Sequence, residues 1–227
     1  MRRALVALRC GLFALELRSK VLNKLAEPPF DPRTHRFNEV DCDPAGRLWL
    51  GVMFEPEPGV NAEPQLGAIH SFSFAEGLRP HSDYALTPNG FAWSLDQRTV
   101  YIAHSKEGCI ETIEFDPKVG MLGGKRAFAT IPKSIGVPDG GAVDAKGFYW
   151  SAIHGGAGLH RYAPDGQLDR IVHLPVKNPT MMAFGGSDLR ELYVTTARHQ
   201  ELARDYDGGI LRLRLRTKGR LRPRAAQ

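Results

Sequence analysis

An all-β fold is predicted by three features of this sequence. Four segments share one rhythm, a turn containing Asp or Gly, then a strand with an aromatic residue, then small residues: DPAGRLWLGVM (43–53), SLDQRTVYIAHS (94–105), DAKGFYWSAIH (144–154) and GSDLRELYVTTA (186–197). Each is followed by an alternating stretch that runs into a turn, namely AIHSFSFAEG, CIETIEFDPKVG, GLHRYAPDG and GGILRLRLRTKG. Long helical periodicity is absent, while 24 glycines and 16 prolines supply many turns. Trp49, Tyr101, Trp150 and Tyr193 are 52, 49 and 43 residues apart. Hairpin-rich units of that size are expected for β-propeller blades, each a four-stranded sheet. At about 48 residues per unit, roughly four and a half blades fit the chain, which reads as a single domain, 1–227.

Taken in order, the chain opens with MRRALVALRCGLFALEL, where two arginines precede an apolar run. Arg9 and Glu16 interrupt that run and no small-residue cleavage site follows, so it reads as strands and not as an export signal. Ser19 to Ala26 is the one candidate helix, and it is short. No stretch reaches the roughly 18 uninterrupted apolar residues of a membrane span. Cys10, Cys42 and Cys109 form no CxxC pair, which argues against a disulfide framework or a zinc knuckle. A reducing, cytoplasmic location is expected. GMLGGKR has the residues of a phosphate loop around Lys125 without its spacing, and reads as a hairpin turn between two strands.

The net charge of +5 is unevenly placed. Arg212, Arg214, Arg216, Lys218, Arg220, Arg222 and Arg224 follow one another with no acidic residue, so the remainder of the chain is slightly acidic. ILRLRLR has the period of a strand with one buried face, and this reading is preferred to nucleic-acid or membrane-surface contact by the tail. Residues 217–227 follow as a basic tail.

Common catalytic signatures such as HExxH and GxSxG are missing. What recurs is a set of polar residues just before the inner strands of successive units. Arg36, Asn38 and Glu39 stand in HRFNEVD, Asn89 in TPNGFAWS and Asp139 in VPDGGAVD. Equivalent turns of propeller blades meet at one end of the central channel, so Asn38, Asn89 and Asp139, separated by 51 and 50 residues, are expected to converge. One carboxylate and two carboxamides offer hard oxygen donors, suited to Ca²⁺, Mg²⁺ or Mn²⁺. Singly, Pro-Asn-Gly and Pro-Asp-Gly are good turns and nothing more. Their repetition at blade period favours the functional reading.

RFNEVDCDPAGRLWLGVM, PNGFAWSLDQRTVYIAHS, PDGGAVDAKGFYWSAIHGGAGLHRYAPDG and PVKNPTMMAFGGSDLRELYVTTAR, in that order, resemble consecutive segments of the senescence marker protein, regucalcin and gluconolactonase family. The resemblance runs from about residue 4 to 215. It implies a six-bladed propeller with one divalent ion (Ca, Zn, Mn or Mg) in its channel and hydrolysis of a sugar lactone to the aldonic acid. It also implies that Asn89 and Asp139 are metal ligands, that Asn38 lies close to the metal, and that Asp139 is the general base. Arg36, Asn38, Glu39 and His154 are the implied substrate contacts, His154 having a structural role as its alternative.

Several positions depart from the family pattern. The family's usual Gly-Glu-Gly-Pro-like motif, which carries a further glutamate ligand, has no counterpart, and neither Glu16 nor Glu27 has its context. Glu39 stands where Asp is usual, Val52 where Thr is usual, and His104 where Asp is common. ALVALRCGLFALEL resembles the family's second blade, so the ring is expected to lack roughly one blade and part of the next, and its open edge to favour self-association. Two alternatives follow, a metal-binding propeller with little or no activity and a propeller esterase or organophosphatase of another kind.

Overall fold

In the computed structural model, which describes residues 3–83, 87–198 and 206–226, each of the four spaced aromatic residues lies on the second strand of a sheet. Five antiparallel sheets are formed, every one a meander in sequence order. The first contains β1 (Arg3–Leu8), β2 (Gly11–Glu16) and β3 (Leu22–Ala26). The second contains β4 (His35–Cys42), β5 (Leu48–Phe54), β6 (Ala68–Ser73) and β7 (Gly77–Asp83). The third contains β8 (Pro88–Trp93), β9 (Thr99–His104), β10 (Cys109–Asp116) and β11 (Met121–Thr130). The fourth contains β12 (Val137–Val143), β13 (Tyr149–His154), β14 (Gly158–Tyr162) and β15 (Leu168–His173), and the fifth β16 (Pro179–Gly185), β17 (Glu191–Thr196) and β18 (Ile210–Arg214). The described residues thus form five blades, the first and last with three strands each, where spacing had suggested four and a half.

Two local expectations are corrected. Ser19 to Ala26 holds no helix: Leu22–Ala26 is β3, paired with β2, because the ladder satisfies more backbone groups than one short helical turn could. GMLGGKR is not a turn either. It starts at the end of the preceding turn and continues as β11, whose register shifts against β10 let Gly123 and Gly124 lie against Glu114.

The shared Asp-containing turn has a physical cause. Asp144 Oδ1 accepts from the backbone N–H groups of Lys146 and Phe148, and its Oδ2 accepts from Trp150 Nε1 at 3.0 Å. Asp43 repeats the pattern with Ala45, Arg47 and Trp49. One buried carboxylate therefore closes the turn and fixes the indole six residues later. An adjacent guanidinium offsets its charge, Arg47 for Asp43 and Arg161 for Asp144.

The core lies in layers between blades rather than at a single centre. Trp49, Ile69, Phe91 and Trp93 fill the space between the second and third sheets. Tyr101 stacks on Tyr149 at 4.6 Å between the third and fourth, and Trp150, Met182 and Phe184 pack between the fourth and fifth. Trp49 and Trp150 are buried to 1% and 0% exposure, and each removes roughly 200 Å² from water, an upper limit of about 5 kcal/mol.

β18 has the alternation expected of it, with Leu211, Leu213 and Leu215 packed on the last core layer. Beyond it, the basic segment turns under the molecule. Gly219 bridges to Asp144, Arg220 donates to the Ser94 carbonyl at 3.0 Å, and the Ala226 N–H donates to the Gly46 carbonyl at 2.9 Å. These anchors all follow the ends of inner strands β12, β8 and β4, so the segment straps the end of the channel opposite Asn38, Asn89 and Asp139. No helix among the described residues is long and apolar enough to cross a membrane, and the three cysteines are free.

Candidate active site on four bulged inner strands

The polar residues singled out by spacing do not lie on turns ahead of the inner strands. They lie inside those strands, at bulges. Register shifts fall between Phe37 and Val40 in β4, Asn89 and Ala92 in β8, Pro138 and Gly141 in β12, and Pro179 and Met181 in β16. A bulge inserts an unpaired residue and re-aims the side chains beside it, and Asn38, Asn89 and Asp139 stand at three of these four bulges. Gly90, with φ of 65°, supplies the left-handed conformation that the β8 bulge requires. Gly141 permits close approach: a Cβ there would fall within 2.8 Å of the Gly90 carbonyl and against the Tyr149 hydroxyl.

The structure joins Arg36, Asn38 and Asn89 in one chain of hydrogen bonds. Arg36 Nη1 donates to Asn38 Oδ1 at 2.9 Å, Asn38 Nδ2 to Asn89 Oδ1 at 2.8 Å, and Asn89 Nδ2 to Ser105 Oγ at 2.8 Å. Ser105 Oγ then donates to the Pro138 carbonyl at 2.6 Å, one residue before Asp139. Three blades are tied together by side chains that each have a defined direction. Asn38 turns its oxygen to Arg36 and its amide to Asn89, while Asn89 Oδ1 keeps a second lone pair.

Three members of this network escaped the sequence reading. Glu55 receives Arg36 Nε at 2.5 Å and Arg36 Nη2 at 3.2 Å, and also Arg9 Nη2 at 2.8 Å. Arg9, seen in the sequence only as a break in an apolar run, also donates to the carbonyls of Pro32, His35 and Glu55 and so braces the arginine clamp. The Arg36 hydrogen bond holds the Glu55 carboxyl below its ordinary range. Ser105, directly after the aromatic strand β9, is the third.

Asp139 is partly buried, and burial pushes its carboxyl up to about 7, offset by the Gly140 N–H and by Arg36. Among the described residues no cation lies within ion-pair distance of it. Glu39 is buried at 4% exposure, and among the described residues its Oε1 has no hydrogen-bond partner. Its carboxyl is pushed well up by burial and, less strongly, by the neighbouring Asp41 and Asp139 charges, with Arg222 opposing. His154 ends β13 opposite Val137 in the ladder, at the Asp139 end of the blade. Val52 is buried opposite Phe37, beside the β4 bulge.

His104 is engaged elsewhere, its Nε2 3.0 Å from Glu111 Oε2, and burial holds its imidazole below the usual range. Glu16 pairs with Arg3 and Glu27 with Lys24, so neither supplies a carboxylate to Asp139.

A hard divalent cation fits this corner in its chemistry. A desolvated carboxylate with no cation at ion-pair distance among the described residues stands where Asn89 has a spare amide lone pair, and a bound cation would reverse the upward shift of Asp139. No three His, Cys, Asp or Glu side chains converge at a metal-sized point among the described residues. Asp139 and Asn89 offer such an ion carboxylate and carboxamide oxygen.

Residues 2–198 match the family described as the SMP-30/Gluconolactonase/LRE-like region. The chain is 33% identical to 6-deoxy-6-sulfogluconolactonase of Pseudomonas putida over 203 residues, which is 88% of this chain and 67% of that protein. It is 31% identical to Gallus gallus regucalcin over 185 residues, 81% of this chain but only 62% of the relative's length. The crystal structure of regucalcin from Agrobacterium tumefaciens, a calcium-binding protein, superposes with a TM-score of 0.89 at 28% identity, covering 99% of this chain and 76% of that one. A luciferin-regenerating enzyme gives a TM-score of 0.87 at 25% identity, over 99% of this chain and 78% of that one. On the family match and these relatives together, the chain belongs to the SMP-30/gluconolactonase/LRE-like family of β-propeller proteins.

Proposed function

We propose that this protein hydrolyses a sugar lactone to the aldonic acid, with Asp139 as general base at a site where Asn89 and Asp139 hold a divalent ion and Asn38 orients Asn89. The observation that carries the reading is the Arg36–Asn38–Asn89–Ser105 chain ending beside Asp139, a polar, pre-organised corner built on four bulged strands. The names of related proteins, a sulfogluconolactonase among them, support the substrate class.

Each residue has a task in this reading. Arg36, gripped by Glu55, presents a fixed guanidinium to the hydroxyl or ring oxygens of the sugar. Asp139, whose buried carboxyl an adjacent cation would keep ionised, takes a proton from water near neutral pH. Glu39, buried on β4 with its carboxyl pushed well up, lines the corner, and His154 borders the sugar from the end of β13. When bound, the ion supplies Lewis acidity towards a carbonyl oxygen and lowers the pKa of a coordinated water. The six-bladed ring of the family and the choice among Ca²⁺, Zn²⁺, Mn²⁺ and Mg²⁺ belong to the same proposal.

A second reading, a metal-binding propeller with little activity, is favoured by one observation: among the described residues no three His, Cys, Asp or Glu side chains meet at a metal-sized point, and ligand charge dominates affinity for hard cations. Calorimetric titration with Ca²⁺, Mn²⁺ and Zn²⁺ beside hydrolysis of gluconolactone and of an aryl ester separates the two. The lactonase reading expects chelator-sensitive turnover of the lactone in preference to the ester. Binding without turnover would support the second reading, and preference for the ester would overturn both.

A further inference from the structure

The basic segment is remote in sequence from the corner, yet one of its side chains reaches the strand that carries Asp139. Arg222 Nη2 donates to the Gly141 carbonyl at 2.6 Å and to the Met182 carbonyl at 2.9 Å, and lies 3.4 Å from Met181 Sδ. Arg222 Nη1 pairs with Asp41 Oδ2 at 3.0 Å, and Asp41 is 10% exposed. One guanidinium therefore spans the second, fourth and fifth blades on their inner strands.

The two carbonyls it holds are not arbitrary. Gly141 closes the bulge that begins at Pro138, and Met182 follows the bulge of β16. Bulges disrupt the ladder and leave backbone groups in need of other partners. Two nitrogens of the planar arginine fork share these partners, Nη2 the two carbonyls and Nη1 the carboxylate, a spread that an ammonium, whose donors all sit on one nitrogen, lacks. The β12 bulge is also confined sideways, since Gly140 lies against the Thr180 carbonyl and Met181 while Gly141 lies against Gly90. A shift at Gly141 therefore passes to Asp139, two residues away.

We propose that Arg222 is a positioning residue for Asp139: it pins the exit of the β12 bulge from the far side of the channel and sets where the Asp139 carboxylate projects. Its charge also offsets the buried Asp41 and Glu39 carboxyls on β4. The inference rests on the reading of Asp139 as metal ligand and base.

The test compares full-length wild type with Arg222→Met, Arg222→Lys and Arg220→Met. Arg220 is the control because it anchors the same segment by a hydrogen bond to Ser94 on the third blade, with none to the β12 backbone among the described residues. Three readouts are taken, Mn²⁺ affinity, amide hydrogen exchange of residues 137–143, and kcat and KM for gluconolactone. Arg222→Met is expected to weaken Mn²⁺ binding about tenfold, the scale for supports behind metal ligands. It should also speed exchange in 137–143 and lower kcat with KM within about twofold. Arg220→Met is expected to match wild type, and Arg222→Lys to fall between.

Wild-type affinity and exchange in Arg222→Met would overturn the proposal. So would an equal loss in Arg220→Met, which would reduce the effect to docking of the segment. If Arg222→Met does not fold, Arg222→Lys decides, and wild-type values for it overturn the proposal. If the wild type hydrolyses no lactone, the functional reading fails alone, and the Mn²⁺ and exchange comparisons still decide on Arg222; exchange decides by itself if Mn²⁺ does not bind.

Discussion

Asn38 and Asn89, 51 residues apart in the sequence, meet through a 2.8 Å hydrogen bond from Asn38 Nδ2 to Asn89 Oδ1. The bond joins the bulge of one inner strand to the bulge of the next and fixes which Asn89 lone pair stays open. Asn38→Ala should therefore weaken divalent-ion binding about tenfold while leaving the fold intact, because a support is lost and no ligand. Asn89→Ala should cost more, since it removes an oxygen donor. Mn²⁺ titration of both variants checks the order, and equal losses would show that Asn38 is itself a ligand.

The clamp on Arg36 predicts a split between binding and stability. Glu55 pairs with Arg36 and Arg9 while being 43% exposed, so Glu55→Gln should alter stability by no more than about 1 kcal/mol. With Arg36 released, KM for the lactone should rise roughly tenfold. Steady-state kinetics beside urea denaturation tests this, and an unchanged KM would remove Arg36 from the substrate site.

The Asp-containing turns predict a purely structural variant. Asp144 and Arg161 form a buried pair, with side chains 0% and 3% exposed. Asp144→Ala would leave a buried guanidinium with Asp169 as its remaining carboxylate, and would also free two backbone amides and the Trp150 indole. A loss of about 3–5 kcal/mol is expected in urea denaturation. A loss below about 1 kcal/mol would show that the turn does not depend on the carboxylate.

Stability of the metal-free protein should carry the signature of Asp139. Its folded pKa of about 7 lies above the unfolded value near 3.8, so the folded state binds more protons between the two. The penalty for ionising it in the folded protein grows as pH rises from about 4 to about 7 and is complete above that. In chelator, the stability gained by Asp139→Asn relative to wild type should increase from pH 5 to pH 8. A gain that does not vary with pH would mean that Asp139 is not desolvated.

How much of this was legible in the sequence follows from the physics of each part. Trp49, Tyr101 and Trp150 could be aligned because inter-blade layers take a large side chain at that place, whereas Tyr193 shares the spacing but is exposed, and Leu192 and Val194 fill the layer of the last blade. Asn38, Asn89 and Asp139 were singled out for the same reason, repetition at blade period. Their bulges were not found, because a register shift is a relation between two strands, and Pro-Asn-Gly reads equally well as a turn. Glu55, Arg9 and Ser105 act once each, without a period to mark them. Arg222 was read as part of a charged tail because the carbonyls it serves exist only after β12 and β16 have bulged.

The most direct test of the central claim is the rate of gluconolactone hydrolysis by Asp139→Asn against wild type, both saturated with Mn²⁺ and both verified as folded. General-base catalysis contributes about 10²–10⁴-fold, so a fall in kcat of at least about 100-fold is predicted. An Asp139→Asn variant that retains kcat within about twofold of wild type would contradict the account.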